Sequence, residues 1–533
     1  MTGWLILLRH HVRRDRWMFL WWCLGVVALY WTQAVSVVGL YATQAEFDRA
    51  AAVADDNPAF IAMAGPARAL DTVGGQVFWQ ASAFGAVLVG LMSMFLIGRH
   101  TRAEEESGRD ELVRSAAIGR HAPMAAALSI ALLANIAVGL LVAASLIATQ
   151  PGDSPLKGLP LPVADSLATG LGLVACGAVF SATALVAAQL THSTRAMYAV
   201  AGAVIGVAYA LRAVGDVGNQ ALSWLSPIGW YQAMAAYYAL TWWPIVALVA
   251  AAAAVTIAAF ALFERRDVGS GLWPSRPGPS NASRGLQTGL GVAWRLQRGA
   301  VYGWTLGLLL TGLSYGSIGN SVEELLGDSG MVEAMGAGAT DNLVDGFYAA
   351  SSVMLALIAG GFAISSTLRP RAEEDAGRAE ALLATGLSRS AWLAGHLAVT
   401  VGGTVLAVAA GGFGMGLGFA LSTGDNDAIL RLGLPTLAQV APVLVLSACA
   451  MLLYGVAPRL LVLAWLPLAF AVVVLMFGEP LQIPQAVQSL SPFEHLALAP
   501  AEEYRWAPVL AVGAVAAALL LAGQLAFTRR DIS

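Results

Sequence analysis

Long apolar stretches alternate with short charged clusters along the chain. Each stretch is close to the roughly 20 residues an α-helix needs to cross a hydrocarbon core of about 30 Å. Six windows fall at residues 17–40, 75–98, 122–148, 166–190, 196–214 and 244–263. Six more fall at 302–320, 346–366, 391–421, 433–456, 460–477 and 507–527. The pattern predicts an all-α membrane protein of about 12 transmembrane helices. The alternating ten-residue strands of an outer-membrane barrel are not seen. Lipid admits few other backbones, because each amide must find an internal partner. An even number of spans puts both termini on one side.

The polar positions between the windows say which side that is. With the N-terminus in the cytoplasm, inner segments carry 23 arginines and lysines and outer segments 6, the bias expected of inward-facing loops. Acidic residues lean the other way, 13 inside and 20 outside. Residues 1–16 hold Trp4-Leu-Ile-Leu-Leu8 followed by Arg9, Arg13, Arg14 and Arg16. They predict an amphipathic helix lying on the inner membrane surface. A signal peptide would place its charge before the apolar run, the reverse order. Residues 269–291 contain Trp-Pro-Ser-Arg-Pro-Gly-Pro-Ser-Asn-Ala-Ser, in which prolines and small polar residues oppose regular structure. That stretch reads as a cytoplasmic linker between a first half, 17–268, and a second half, 292–533.

Composition mainly removes alternatives. The chain is 58% hydrophobic and 12% charged, against about 25% charged in a soluble domain, so a water-soluble fold is excluded. Of 29 basic residues only Lys157 is a lysine, a bias of GC-rich bacterial genomes, which points to a bacterial plasma membrane. Lys157 sits in Ser-Pro-Leu-Lys-Gly-Leu-Pro, whereas a Walker A phosphate loop needs a Gly-Lys-Ser/Thr step. The chain is therefore expected to be no ATPase itself and to carry no cofactor. Cys23, Cys176 and Cys449 lie far apart inside apolar stretches and read as buried thiols. The seven histidines lack metal-ligand spacing, so no metal site is expected, and nothing suggests a nucleic-acid partner.

An internal repeat is the most informative feature. Arg102-Ala-Glu-Glu-Glu-Ser-Gly-Arg-Asp-Glu111 recurs as Arg371-Ala-Glu-Glu-Asp-Ala-Gly-Arg-Ala-Glu380, a shift of 269. Arg120 likewise matches Arg389. Ser226-Pro227 recurs as Ser491-Pro492, and Phe263-Glu-Arg-Arg-Asp-Val268 as Phe527-Thr-Arg-Arg-Asp-Ile532. Each copy has six windows and the same starting side, so the halves are parallel repeats. The charged segment lies in the loop after the second window of each half. Read as one helix, it puts Glu104, Gly108 and Glu111 on one side, with Arg102 and Arg109 flanking, and Thr101-Arg-Ala-Glu104 as a capping box. A solvated helix surface would tolerate substitution, yet this one recurs. A duplicated foot suggests two copies of one partner.

The pattern Arg-x-Glu-Glu-x-x-Gly-Arg-x-Glu-Leu, followed by Gly119-Arg120, resembles the coupling-helix region of ABC-2 type permeases. The likeness is strongest to the fused twelve-helix exporters, of type V architecture, linked to polyketide and tetronasin-type antibiotics. It extends to outer segments 224–243 and 482–506, where Pro227, Trp230, Tyr237 and Trp242 suit half-inserted helices capping the outer mouth. The second copy departs by reading Ala381 and Gly386 where the first has Leu112 and Ala117. The resemblance implies a permease served by two copies of a nucleotide-binding subunit, which would bind ATP and Mg. It assigns partner coupling to Arg102, Glu104, Glu105, Gly108, Arg109 and Glu111, and to Arg371, Glu373, Glu374, Gly377, Arg378 and Glu380. It also implies a hydrophobic small-molecule cargo passing Phe78, Trp79, Phe84 and Phe95 in the first half, and Phe347, Tyr348 and Met354 in the second. Aromatic and methionine side chains suit bulky apolar or amphiphilic compounds such as antibiotics.

Other functions fit less well. An ion-coupled drug carrier needs an ionisable group at membrane depth, and His396, Arg212 and Asp345 fall near window ends while Gln80 and Asn135 cannot titrate. A membrane enzyme would want acidic pairs at an interface; Glu323-Glu324 and Glu502-Glu503 lie in expected outer loops. Export of a lipid or cell-wall precursor, or sensing, would keep the fold and change the task. The run Gly411-Gly-Phe-Gly-Met-Gly-Leu-Gly418 permits close helix contacts.

Overall fold

An amide that enters lipid must be bonded within its own segment, and the windows meet that need as helices capped by short polar residues. The computed structural model describes residues 2–41, 43–55, 58–149, 154–267, 269–273, 280–317, 343–477 and 483–530. Among them no strand occurs, and 11 helices are long and apolar enough to cross a membrane. The chain is a helical, multi-pass membrane protein. It divides into two compact units, Met1–Pro277 and Gly278–Ser533. Of the residues read from sequence, 274–279, Val268, Asn320, Glu323, Glu324, Gln482, Asp531 and Ile532 lie outside the described residues.

The first unit contains α1 (Trp4–Leu40), α2 (Gln44–Asp55), α3 (Pro58–Ala64), α4 (Val73–His100), α5 (Arg102–Glu106) and α6 (Arg109–Arg114). It continues with α7 (Ala122–Ile147), α8 (Val163–Leu190), α9 (Thr194–Val217), α10 (Pro227–Gln232) and α11 (Trp243–Glu264). The second unit contains α12 (Gly289–Gly316), α13 (Leu343–Thr367), α14 (Arg369–Asp375), α15 (Arg378–Leu383) and α16 (Arg389–Thr423). After these come α17 (Ala428–Ala438), α18 (Val440–Val456), a 3-10 segment Pro458–Trp465, α19 (Leu466–Phe477), α20 (Gln485–Gln488) and α21 (Trp506–Arg529). Ten of the windows fall on α-helical segments, window 302–320 is described only to residue 317, and window 460–477 is the 3-10 segment followed by α19. α12 holds the window from residue 302 to its own end and is not among the 11.

Several helix starts follow from side-chain oxygens that accept an otherwise unpaired amide. Thr72, Ser193, Thr288 and Ser388 accept from the backbone amides of Gly75, Ala196, Gly291 and Ala391 at 3.1–3.2 Å. The N-terminal end differs from expectation. α1 runs unbroken through residues 16 and 17, because neither Gly nor Pro interrupts it between Trp4 and Cys23. Cys23 and Cys176 are buried, and Cys449 is half-buried.

Both units use glycine to seat rings and to let backbones meet: a Cβ on Gly139 would strike the Gly170 carbonyl in the first unit, and one on Gly403 would meet Phe362 in the second. In the first, other glycines make notches for rings: a Cβ on Gly85 would meet Tyr30, one on Gly98 Tyr198, and one on Gly172 Tyr231. Tyr231 belongs to the expected outer segment 224–243; it is fully buried, with its hydroxyl 3.1 Å from that of Tyr30. In the second unit, α12 and α16 touch backbone to backbone. A Cβ on Gly312 would strike the Gly411 carbonyl, and one on Gly418 the Leu313 carbonyl. The glycine run is thus a packing seam in which small residues let two backbones approach.

Candidate functional site

The charged repeat forms an elbow beyond the second long helix of each unit. The expected single helix is corrected. In each copy the helix stops and restarts at a glycine in the left-handed region, Gly108 at φ +71° and Gly377 at φ +68°. An L side chain there costs about 1–2 kcal/mol, which accounts for glycine at both positions. Glu104, Gly108 and Glu111 therefore do not share one helical face. The capping box is also absent, because the Thr101 hydroxyl donates backward to the Ile97 carbonyl at 2.6 Å.

Two ties recur. Arg109 Nε donates to Glu104 Oε2 at 2.7 Å, and Arg378 Nε donates to Glu373 Oε2 at 2.6 Å. Hydrogen bonding to these carboxylates raises both guanidinium pKa values above the ordinary arginine value. The following glutamate binds an arginine beyond the unit's last long helix. Arg266 donates to Glu105 through both terminal nitrogens, one at 3.1 Å. Arg530 Nη2 donates to the two Glu374 oxygens at 2.7 and 2.8 Å. Arg266 and Arg530 come from the recurring Arg-Arg-Asp, so two separate pieces of the repeat are bonded partners. Sequence reasoning saw that motif and gave it no role; its recurrence beside the elbow motif was the available signal.

Other contacts differ. Arg102 is buried and donates to Glu105 at 2.8 Å and to the Ser270 carbonyl at 2.8 Å, with a further bond to the Ala188 carbonyl. Arg371 is partly exposed and, among the described residues, pairs only along its own helix, with Glu374 at 3.3 Å and Asp375 at 2.7 Å. Glu104 also takes Arg14, whereas Glu373 takes Arg369 at 2.9 Å. Glu111 and Glu380 are exposed, as are Leu112 and Ala381 beside them.

The second long helices, α4 and α13, are among the most buried, yet each keeps one open stripe. At 100° per residue, Gln80, Phe84, Leu88, Leu91 and Phe95 share one side of α4, and Phe84 and Phe95 remain 38% and 39% exposed. On α13 the stripe is Phe347, Met354, Ile358, Gly361 and Ser365. The remaining cargo candidates face elsewhere. Tyr348 is buried, donating to the Gly316 carbonyl at 3.1 Å. Phe78 and Trp79 line a cavity of about 370 Å³ on the other side of α4. The Trp79 indole donates to the Gly65 carbonyl at 2.8 Å, and the Phe78 ring lies 5.5 Å from that of Tyr231. Glu502 accepts from the Leu498 amide at 3.1 Å. Among the described residues no group of three or more His, Cys, Asp or Glu could hold a metal ion.

Two helical units, each with an elbow and an open stripe on its second long helix, put the chain in the class of membrane permeases. It belongs to the family described as multidrug efflux system permease Rv1217c, C-terminal domain, whose model matches residues 8–264 and 286–528. The two matched stretches fall one in each unit. The chain is also 39% identical, over 535 residues, to the multidrug efflux system permease protein Rv1217c of Mycobacterium tuberculosis (strain ATCC 25618 / H37Rv). That alignment covers 100% of this chain and 95% of the mycobacterial protein.

Proposed function

We propose that this chain is the transmembrane permease of an ATP-driven exporter of the ABC-2, type V kind, which moves bulky apolar or amphiphilic drugs out of a bacterial cell. Two copies of a separate nucleotide-binding subunit bind ATP and Mg and press on the two elbows, which face the cytoplasm. The observation that carries this reading is the elbow itself, built twice with the same glycine turn and the same two glutamate–arginine ties. A push on α5 reaches α4 through Thr101 and α11 through the Glu105–Arg266 tie. The second unit has the same linkage through Glu374 and Arg530. Two helices of a unit then move together, which is what rocking a unit requires. Cargo passes the open stripes, with Phe84, Phe95, Phe347 and Met354 as its apolar contacts. The relative's printed role in multidrug efflux supports an exporter over a sensor.

The test is charge reversal of Glu104→Arg together with Glu373→Arg in the complex reconstituted with its ATP-binding partner. Loss of cargo-stimulated ATP hydrolysis is expected while the protein still inserts. Unchanged stimulation removes the coupling role of the elbows. Uphill cargo movement by the isolated chain in liposomes, driven by an ion gradient alone, would favour an ion-coupled carrier instead.

A further inference from the structure

The walls of the cavity beside α4 carry one cation, Arg68, and one anion, Asp216, and a buried arginine behind the walls, Arg212, already faces the anion. Its apolar side is aromatic: Phe78 and Trp79 from α4, with Trp224 and Trp243, whose rings stack 5.2 Å apart. Asp216 is the one acidic lining residue, and it is already engaged. Its carboxylate accepts from Ser223 Oγ at 2.6 Å and lies 3.6 Å from the buried Arg212 guanidinium. Arg68 also lines the cavity and is exposed, and among the described residues no hydrogen bond or ion pair takes up its guanidinium. Gln232 adds a second unmet group. Its amide nitrogen donates to the Ala64 carbonyl at 2.6 Å and to Ser82 Oγ at 2.9 Å, which fixes its Oε1 as an acceptor. That Oε1 is buried without a partner. A volume of about 370 Å³ lies within the usual range for small-molecule sites, about 300–1,000 Å³.

We infer that this cavity binds an amphiphilic organic acid. Its aromatic or apolar body lies between Phe78, Trp79 and Trp224, its anionic head pairs with Arg68, and an N–H or O–H group donates to Gln232 Oε1. A cationic amphiphile is disfavoured, because Arg212 already faces Asp216, the one anion of the walls. That the ligand is cargo rests on the proposed transport role, whereas the binding does not.

Two probes with one body and opposite heads test this: pyrenebutyrate and a pyrenebutyl-trimethylammonium salt. Each is titrated into the purified full chain in lipid nanodiscs, without an ATP-binding partner, and read by energy transfer from tryptophan to pyrene. The acid should bind about fivefold more tightly than the ammonium, the most that an exposed ion pair usually supplies. Arg68→Gln should erase that preference and Arg68→Lys should keep it. Ala239→Trp, which fills the cavity from an exposed lining position, should remove saturable transfer from both probes while the thermal melt is unchanged. Equal affinity for the two heads, a preference untouched by Arg68→Gln, or no saturable transfer to the folded chain overturns the proposal. If the head preference stands while no cargo-stimulated ATPase is found, only the transport reading fails. The reverse result overturns the cavity alone.

Discussion

The same motif arginine does different work in the two elbows. In the first unit the chain beyond α11 folds back over the end of α8, where the amides of Leu272 and Trp273 donate to the Gln189 and Leu190 carbonyls at 3.0 and 2.8 Å. That return brings the Ser270 carbonyl to Arg102, so the arginine ties α5 to both the α8 terminus and the returning chain. In the second unit, Arg371 stays local, and Glu374 is held by the Tyr454 hydroxyl at 2.7 Å and by Arg530. Both elbows are fastened through their second glutamate, and the first is fastened through its arginine as well. A motif fixes which groups are offered; the neighbouring backbone decides which are used.

The sharpest way to break this comparison is to delete the arginine from each elbow. Arg102→Ala leaves two carbonyls and a largely buried carboxylate short of a donor, and should lower unfolding stability in detergent by about 3 kcal/mol. Arg371→Ala should cost no more than about 1 kcal/mol, as expected of a partly exposed pair. Equal losses would show that Arg102's long-range bonds add nothing. The tie shared by both units ranks next. Arg266→Gln and Arg530→Gln should each cost about 2 kcal/mol, the scale of a hydrogen bond to a charged group. The paired melts check that likeness, and a loss in one unit only would make the tie a feature of that unit. Smaller again are Gly108→Ala and Gly377→Ala, each expected to cost about 1–2 kcal/mol through φ alone. No shift in the melting temperature of either would mean that the turn relaxes without strain.

How far the sequence reached depended on the range of the interaction. Helix positions were legible because an apolar run and its ends are local: the expected window 122–148 is α7, Ala122–Ile147, and 244–263 is α11, Trp243–Glu264. The elbow's existence was legible from its recurrence. Its shape was not, because three-to-four spacing assumes an unbroken helix and gives no weight to a glycine that can adopt positive φ. The contrast between Arg102 and Arg371 was beyond reach, since both occupy the same place in the same motif and differ only in backbone arriving from some 86 and 168 residues away. The cargo candidates divided for a simpler reason. Phe78 and Phe84 are six residues apart, which on a helix of 100° per residue puts them on different sides.

The smallest expected effect on stability carries the most about function. Leu112 is 75% exposed on α6, and the corresponding position on α15 is Ala381. An apolar side chain that size, left open beside Glu111, gains only when something covers it, and covering it is worth about 1.5–3 kcal/mol. Leu112→Ala should leave unfolding stability within about 0.5 kcal/mol, since little is lost from the chain itself. If an ATP-binding subunit docks there, the same substitution should weaken its binding to the permease in nanodiscs roughly tenfold. Ala381→Leu should strengthen docking at the other elbow and bring the two sites toward equal affinity. Binding isotherms resolve the outcome. Two unequal sites in the wild type that converge in the Ala381→Leu variant would mean the partner reads this one side chain, and unaltered isotherms in both variants would mean the elbows differ only in how they are fastened.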